Sequence, residues 1–290
     1  MTATAPLAGK ALLIVGGGRG IGAAEARLCA RLGARVLVND DGCEADGAGH
    51  DASVVEAVVA GIVADGGEAH ADARDVCEPG APRDLVESAR ALWGQLDGVV
   101  CAAAVQTGGA LTRLGDRQVA RALDVQVRAT LGLVRAAGDA MARGERGGSV
   151  VLHAGPNAFA GAARSTLAAT VEAAVAGMGR AAAVDLRRHG VRVNVVAPVA
   201  RTRLTERLPL FRGIDDDALL PEHVAPAAAY LLSDAAREVT GQVVGIAGDR
   251  VYAFVTEETP GCFSARDGFG YDELCALDGR WFDLSGRRGR

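Results

Sequence analysis

The most legible chemistry in the chain is a run of glycines followed by one aspartate. Val15-Gly16-Gly17-Gly18-Arg19-Gly20-Ile21-Gly22 follows the apolar run Ala11–Val15 and opens a helix-like segment, Ile21–Leu32. In such a turn Gly16 makes the tight bend, Gly20 lets backbone approach a pyrophosphate, and Gly22 lets the helix close on the strand. The helix N-terminus then offers amide donors and a positive dipole to phosphates, with Arg19 and Ile21 flanking Gly20. Asp40 ends a second apolar run, Arg35–Asn39. It stands about 20 residues after the glycines, where a carboxylate accepts bonds from adenosine ribose hydroxyls and repels a 2′-phosphate. The pair favours NAD over NADP. A glycine-rich chain also uses such turns without a ligand, and Asn39-Asp40-Asp41-Gly42 suits a plain turn as well.

Those residues need a strand before the glycines and a strand before the aspartate. Further short apolar runs, Asp97–Ala103, Ser149–His153, Arg192–Ala197 and Gln242–Ala247, read as strands. Ser53–Asp65 spaces Val54, Val55, Val58, Val59 and Ile62 along one helical face. Helical patterns also cover Pro82–Trp93, Asp116–Arg143, Arg164–His189 and Pro221–Ser233. Strands alternating with helices predict an α/β fold, a parallel sheet covered on both faces in a doubly wound Rossmann arrangement. The spacing predicts a nucleotide-binding domain over residues 7–250 and a C-terminal extension over 251–290. The extension holds seven of the eleven aromatics: Tyr252, Phe254, Phe263, Phe269, Tyr271, Trp281 and Phe282. Disordered tails are poor in aromatics, so it is expected to pack on the domain or on a neighbouring subunit, with only the final SGRRGR solvated.

Composition narrows the classes. The 290 residues carry a formal net charge of −5 and no basic cluster, which argues against nucleic acid as partner. No apolar run approaches a membrane span of about 20 residues, and MTATAPLAGK lacks a signal peptide's apolar core. Six scattered cysteines with no C-x-x-C pair read as buried thiols in a reduced, cytoplasmic compartment, with no metal site. Of 31 basic residues only Lys10 is a lysine, a bias toward arginine that also excludes any mechanism needing a lysine deep in the chain.

Over nearly its whole length the sequence resembles the short-chain dehydrogenase/reductase family. The resemblance rests on Gly16-x-x-x-Gly20-Ile21-Gly22, on Asp75-Val76, which in the family cups the adenine, and on Val193-Asn194-Val195-Val196-Ala197-Pro198, the strand leading into the substrate loop. The stretches following Val36 and Ala197 look most like the branch that includes the dehydrogenase domain of peroxisomal multifunctional enzymes. The resemblance implies NAD as cofactor, with Gly16, Arg19, Gly20, Ile21, Gly22, Asp40, Asp75, Val76, Ala103, Pro198 and Thr202 at its site. It also implies a hydroxyacyl-CoA or similar alcohol as substrate, and oligomers formed through the helices at Asp116–Arg143 and Arg164–His189.

The same resemblance implies a Tyr acid/base, a Lys four residues later, a Ser and an Asn. In the matching register Ala168 stands at the Tyr position, Glu172 at the Lys position, Gly155 at the Ser position and Gln126 at the Asn position. With Lys10 alone, no Tyr-x-x-x-Lys exists in any register. Candidate replacements are Glu172, whose carboxyl would have a raised pKa if buried and unpaired, and His153, which could titrate near neutrality or simply be a buried, hydrogen-bonded histidine. Asn157, Ser165, Thr166, Gln106 and Gln126 could bond a substrate or cap local structure, and Arg201 and Arg203 could meet an anionic ligand or solvent. Three functions follow in this order. The first is a non-catalytic subunit paired with an active homologue, with cofactor binding weakened or lost as one outcome. The second is a ketoreductase or dehydrogenase using substrate-assisted catalysis. The third is a cyclase, dehydratase or lyase acting through Glu172 or His153. A homo- or hetero-oligomer is expected, with a CoA thioester or ketone as ligand.

Overall fold

The computed structural model describes residues 5–144, 146–215, 217–264 and 267–277. Eight strands form one sheet: β1 (Ala11–Val15), β2 (Arg35–Asn39), β3 (Glu68–Asp72), β4 (Gly98–Cys101), β5 (Gly148–His153), β6 (Val191–Val199), β7 (Val243–Ala247) and β8 (Arg250–Ala253). Their order is β3-β2-β1-β4-β5-β6-β7-β8. All neighbours pair in parallel except β8, which is antiparallel to β7. The central strands are apolar on both sides because both faces are covered, as in Ala11–Val15, where all five residues are buried.

One face carries α1 (Gly20–Arg31), α2 (Ser53–Ala64) and α7 (Ala225–Leu232), whose Ala26, Val55, Val58, Ile62 and Ala228 pack on Leu12, Ile14, Val36, Val100 and Val151. The other carries α3 (Ala81–Trp93), α5 (Thr130–Arg143) and α6 (Thr166–Leu186), with Leu85, Leu133 and Val175 on Leu13, Val99, Val150 and Leu152. Each such aliphatic side chain contributes roughly 1.5–3 kcal/mol on burial. Sequence signals set the ends of α3, with Pro82 in its first turn and Gly94 at φ +70° closing it. α4 (Asp116–Ala122) runs into α5 through a π-helical turn, Leu123–Ala129. Mid-helix π turns are rare and concentrate at functional sites.

α6 is long and apolar enough, by length and composition, to cross a membrane. Here its apolar stripe, Leu167, Val171, Val175, Ala176 and Ala183, is buried against the domain. Gly179 fits against the Val195 side chain, where any Cβ would collide.

Two strands were not expected. β3, with the sequence EAHAD, has no apolar run because it is an edge strand with largely exposed side chains. β8 places Tyr252 in the sheet, and the ring of Phe254, the next residue after the strand, stacks on Phe159 at 4.1 Å. The first compact unit runs through Phe254. In the second unit, beginning at Val255, a short helix α8 (Tyr271–Ala276) is capped by Glu273, which accepts from the Gly270 amide at 3.2 Å. Trp281, Phe282 and the terminal SGRRGR lie outside the described residues.

Two glycines in helices test the packing. A Cβ on Gly22 would run into the carbonyl oxygen of Gly16, whereas a Cβ on Gly61 in α2 would meet nothing. By urea denaturation Gly22→Ala should cost about 2 kcal/mol or more, and Gly61→Ala should add about 0.5–1 kcal/mol.

Candidate active site

The strand order changes direction between β1 and β4, and there the C-terminal ends of the strands leave a crevice. Gly16, at φ +80°, presses so closely on the Ala103 backbone after β4 that a Cβ could not be accommodated. The amides of Gly16 and Gly17 are held by the Asn39 carbonyl at 2.8 and 3.0 Å. Arg19 is the N-cap of α1, makes no side-chain cap, and no acid follows in the first turn. The first amides of α1, those of Gly20, Ile21 and Gly22, are therefore an uncapped positive end. Across from them a Cβ on Gly20 would lie 3.3 Å from Thr202 Cγ2. Thr202 is itself fixed by the turn it makes with Thr205, and Pro198 sits near the end of β6.

Asp40 is locked in place. Its Oδ2 accepts from the Gly18 amide and its Oδ1 from the Gly42 amide, both at 2.8 Å. Arg19 reaches over the following loop and donates to the carbonyls of Cys43 and Gly42 at 2.9 and 3.2 Å. Farther along, Asp75 accepts from the Cys77 amide and from Arg121, and Arg121 also pairs with Asp41 at 3.5 Å. Val76 beside it is buried. Arg121, a helix residue with no motif around it, ties the loops after β2 and β3 together, a role that sequence spacing did not reveal. Burial, the largest cause, together with nearby carboxylates pushes the thiols of Cys43 and Cys77 up to about 11 and about 12. Neither is a thiolate nucleophile near neutral pH.

The second half of the site lies where β5 ends and α6 begins. Ala168 and Glu172 stand one helical turn apart on α6, and Ala168 is buried. Glu172 Oε1 accepts from Asn157 Nδ2 at 3.1 Å, while the buried Oε2 makes no hydrogen bond. A Cβ on Gly155 would lie 2.5 Å from Glu172 Cδ and Oε2 and 2.6 Å from Oε1. The carboxyl thus fills the space that a side chain at 155 would need. Burial pushes the Glu172 carboxyl above its ordinary value, an effect partly offset by the Asn157 side chain and the nearby amides of Asn157 and Ala158. Gln126 sits within the π-helical turn and accepts from the Val105 amide at 3.4 Å.

The other candidates are placed elsewhere. His153 is not beside Glu172: its Nε2 lies 2.9 Å from Oε1 of Glu25, which projects from α1 onto the opposite face of the sheet and is fully buried. Alternation along β5 turns Val151 and His153 to that face and Leu152 to the other. Ser165 bonds the Ala162 carbonyl, and the Thr166 carbonyl accepts from Thr170. Gln106 bonds Ala45 through its amide. Arg201 stacks on buried Phe211 at 5.2 Å and donates to the Ile214 carbonyl, so it braces the loop after β6. Arg203 lies in the turn beside Thr202.

Residues 16–248 match the family model described as enoyl-(acyl carrier protein) reductase. The chain belongs to the short-chain dehydrogenase/reductase family. It is 32% identical over 282 residues to a hydroxyacyl-CoA dehydrogenase of Mycobacterium tuberculosis, covering 93% of this chain and 87% of the relative. A short chain dehydrogenase from Mycobacterium avium superposes with a TM-score of 0.84 and 27% identity over 96% of each chain. A carveol dehydrogenase from the same species, solved in complex with NAD, gives 0.75 and 26% identity over 83% of this chain and 97% of that one.

Two measurements follow. His153→Ala leaves Glu25 buried and unpaired, and should cost about 3–5 kcal/mol in urea denaturation, whereas Glu25→Leu with His153→Leu should return close to the parent. Because the folded state raises the Glu172 pKa, its contribution is fully present below the unfolded glutamate's value and is lost as pH rises through the folded value. Denaturation across that window should show parent stability falling relative to Glu172→Gln.

Proposed function

We propose that the chain is an NAD(H)-dependent oxidoreductase interconverting an alcohol and a carbonyl compound without the family's Tyr–Lys relay. The positions matching that relay hold Gln126, Gly155, Ala168 and Glu172, and the chain's one lysine, Lys10, pairs with Asp234 at the start of β1, away from these positions. The carrying observation is the locked Asp40 facing the glycine turn.

The residues present fit the dinucleotide. The uncapped amides of Gly20, Ile21 and Gly22 suit a pyrophosphate. Asp40 uses one acceptor site on each oxygen for a backbone amide, and a carboxylate has about four. The remainder suit the adenosine ribose hydroxyls, and the charge opposes a 2′-phosphate. Arg19 is engaged by two loop carbonyls, which leaves it poorly placed to welcome that phosphate. Val76 and Asp75 would border the adenine, and Ala103, Pro198 and Thr202 the nicotinamide half. A bound nicotinamide supplies or accepts the reducing equivalent. The hydroxyacyl-CoA relative supports a CoA thioester or another ketone as substrate.

A second reading, a non-catalytic subunit paired with an active homologue, draws on apolar side chains standing free on α5 and α6, where Leu131 is 55% and Val184 76% exposed. Oligomerisation through these helices is part of both readings. The non-redox alternative retains Glu172 but loses His153 to Glu25.

Titration of the purified chain should give a micromolar NADH dissociation constant and at least about tenfold weaker NADPH binding, with Asp40→Ala narrowing that gap. Absence of nicotinamide binding, together with a mass showing a second polypeptide after co-expression, would put the subunit reading in its place.

A further inference from the structure

The Glu172 carboxyl is unusual in its surroundings as well as its position. It projects from α6 into the space of the absent side chain at 155. Gly155 has φ −164°, an extended conformation open to any residue, so glycine is not needed there for backbone reasons. What position 155 requires is space for the carboxyl. One oxygen, Oε1, accepts from the Asn157 side-chain amide at 3.1 Å. The other, Oε2, is buried beside Gly155 and has no partner.

We propose that Glu172 is the site's proton donor, holding a proton on Oε2 for the carbonyl oxygen of a bound substrate, with Gly155 providing the space and Asn157 fixing Oε1. The inference rests on the oxidoreductase reading and names the group that replaces the relay. Placing the proton on Oε2 rests on the unequal bonding: Oε1 has the Asn157 side-chain donor, Oε2 has no hydrogen bond, and the nearby amides of Asn157 and Ala158 only partly offset burial of the charge. Among the described residues Oε2 makes no hydrogen bond, so an incoming ligand oxygen can complete the set. In the reducing direction the ketone carbon gains a hydride equivalent from a reduced nicotinamide dinucleotide while its oxygen takes the Oε2 proton. The product is the alcohol, Glu172 is left as carboxylate, and water restores its proton. The reverse direction uses the carboxylate as base. Burial of the carboxyl acts in the same sense, by favouring the neutral form.

The test uses the full chain. Carbon-13 NMR of the side-chain carboxyls, without cofactor, should show one glutamate titrating above the others. That signal should be absent in Glu172→Ala and should move higher still in Asn157→Ala, because the Asn157 donor holds it down. With NADH bound, isobutyramide serves as a carbonyl probe that is not readily reduced. The parent should bind it, and the affinity should fall as pH rises through the Glu172 titration. Glu172→Gln, which keeps a donor but has no proton to lose, should bind with a flat pH profile. Glu172→Ala should bind about tenfold more weakly, the loss of one hydrogen bond. An ordinary Glu172 titration, no probe binding to the parent, or equal binding by Glu172→Ala each overturns the proposal. Failure of NADH to bind would instead overturn the oxidoreductase reading, and the carboxyl titration would still report on Glu172 alone.

Discussion

The contact between the turn after β1 and the backbone after β4 is the constraint on which the site depends. Gly16 meets Ala103 and Gly22 meets the Gly16 carbonyl with no room for a Cβ at either glycine. Together they bring α1 hard against the sheet and leave its first amides uncapped at the gap between β1 and β4. The parallel sheet supplies the frame for this contact. Two-sided burial fixes where β1, β2 and β4 end, and their ends set the distance from the glycine turn to Asp40. Asp40 in turn accepts from the Gly18 amide, so the glycine turn and this carboxylate are one unit.

A second close fit governs the other half of the site. The Glu172 carboxyl occupies the space beside Gly155 that a side chain there would enter, so a side chain at 155 would displace it. The two residues thus share one space, and neither is well described alone. The chemistry proposed for them follows from this fit and from the unequal bonding of the two carboxyl oxygens.

Much of the fold was legible because it depends on local patterns. The runs at Ala11–Val15 and Arg35–Asn39 became β1 and β2 without change, and Pro82 and Gly94 bracket α3. β3 was not legible, since an edge strand reading EAHAD carries no apolar run. The pairing of Glu25 with His153 joins residues 128 apart in sequence, and no spacing rule connects them. Arg121 was likewise hidden, because its partners Asp41 and Asp75 lie on two separate loops. Glu172 was visible only through the register of α6 against a family pattern. That its carboxyl rests on Gly155, with Asn157 on one oxygen alone, is a fact of three dimensions.

A crystal structure of the full chain with NADH bears most directly on this account. It should show the pyrophosphate on the amides of Gly20, Ile21 and Gly22, the adenosine ribose on Asp40, and the Glu172 carboxyl still seated on Gly155 beside the nicotinamide. A crevice that holds no dinucleotide, or a Glu172 side chain turned away from Gly155 when the dinucleotide binds, would contradict it.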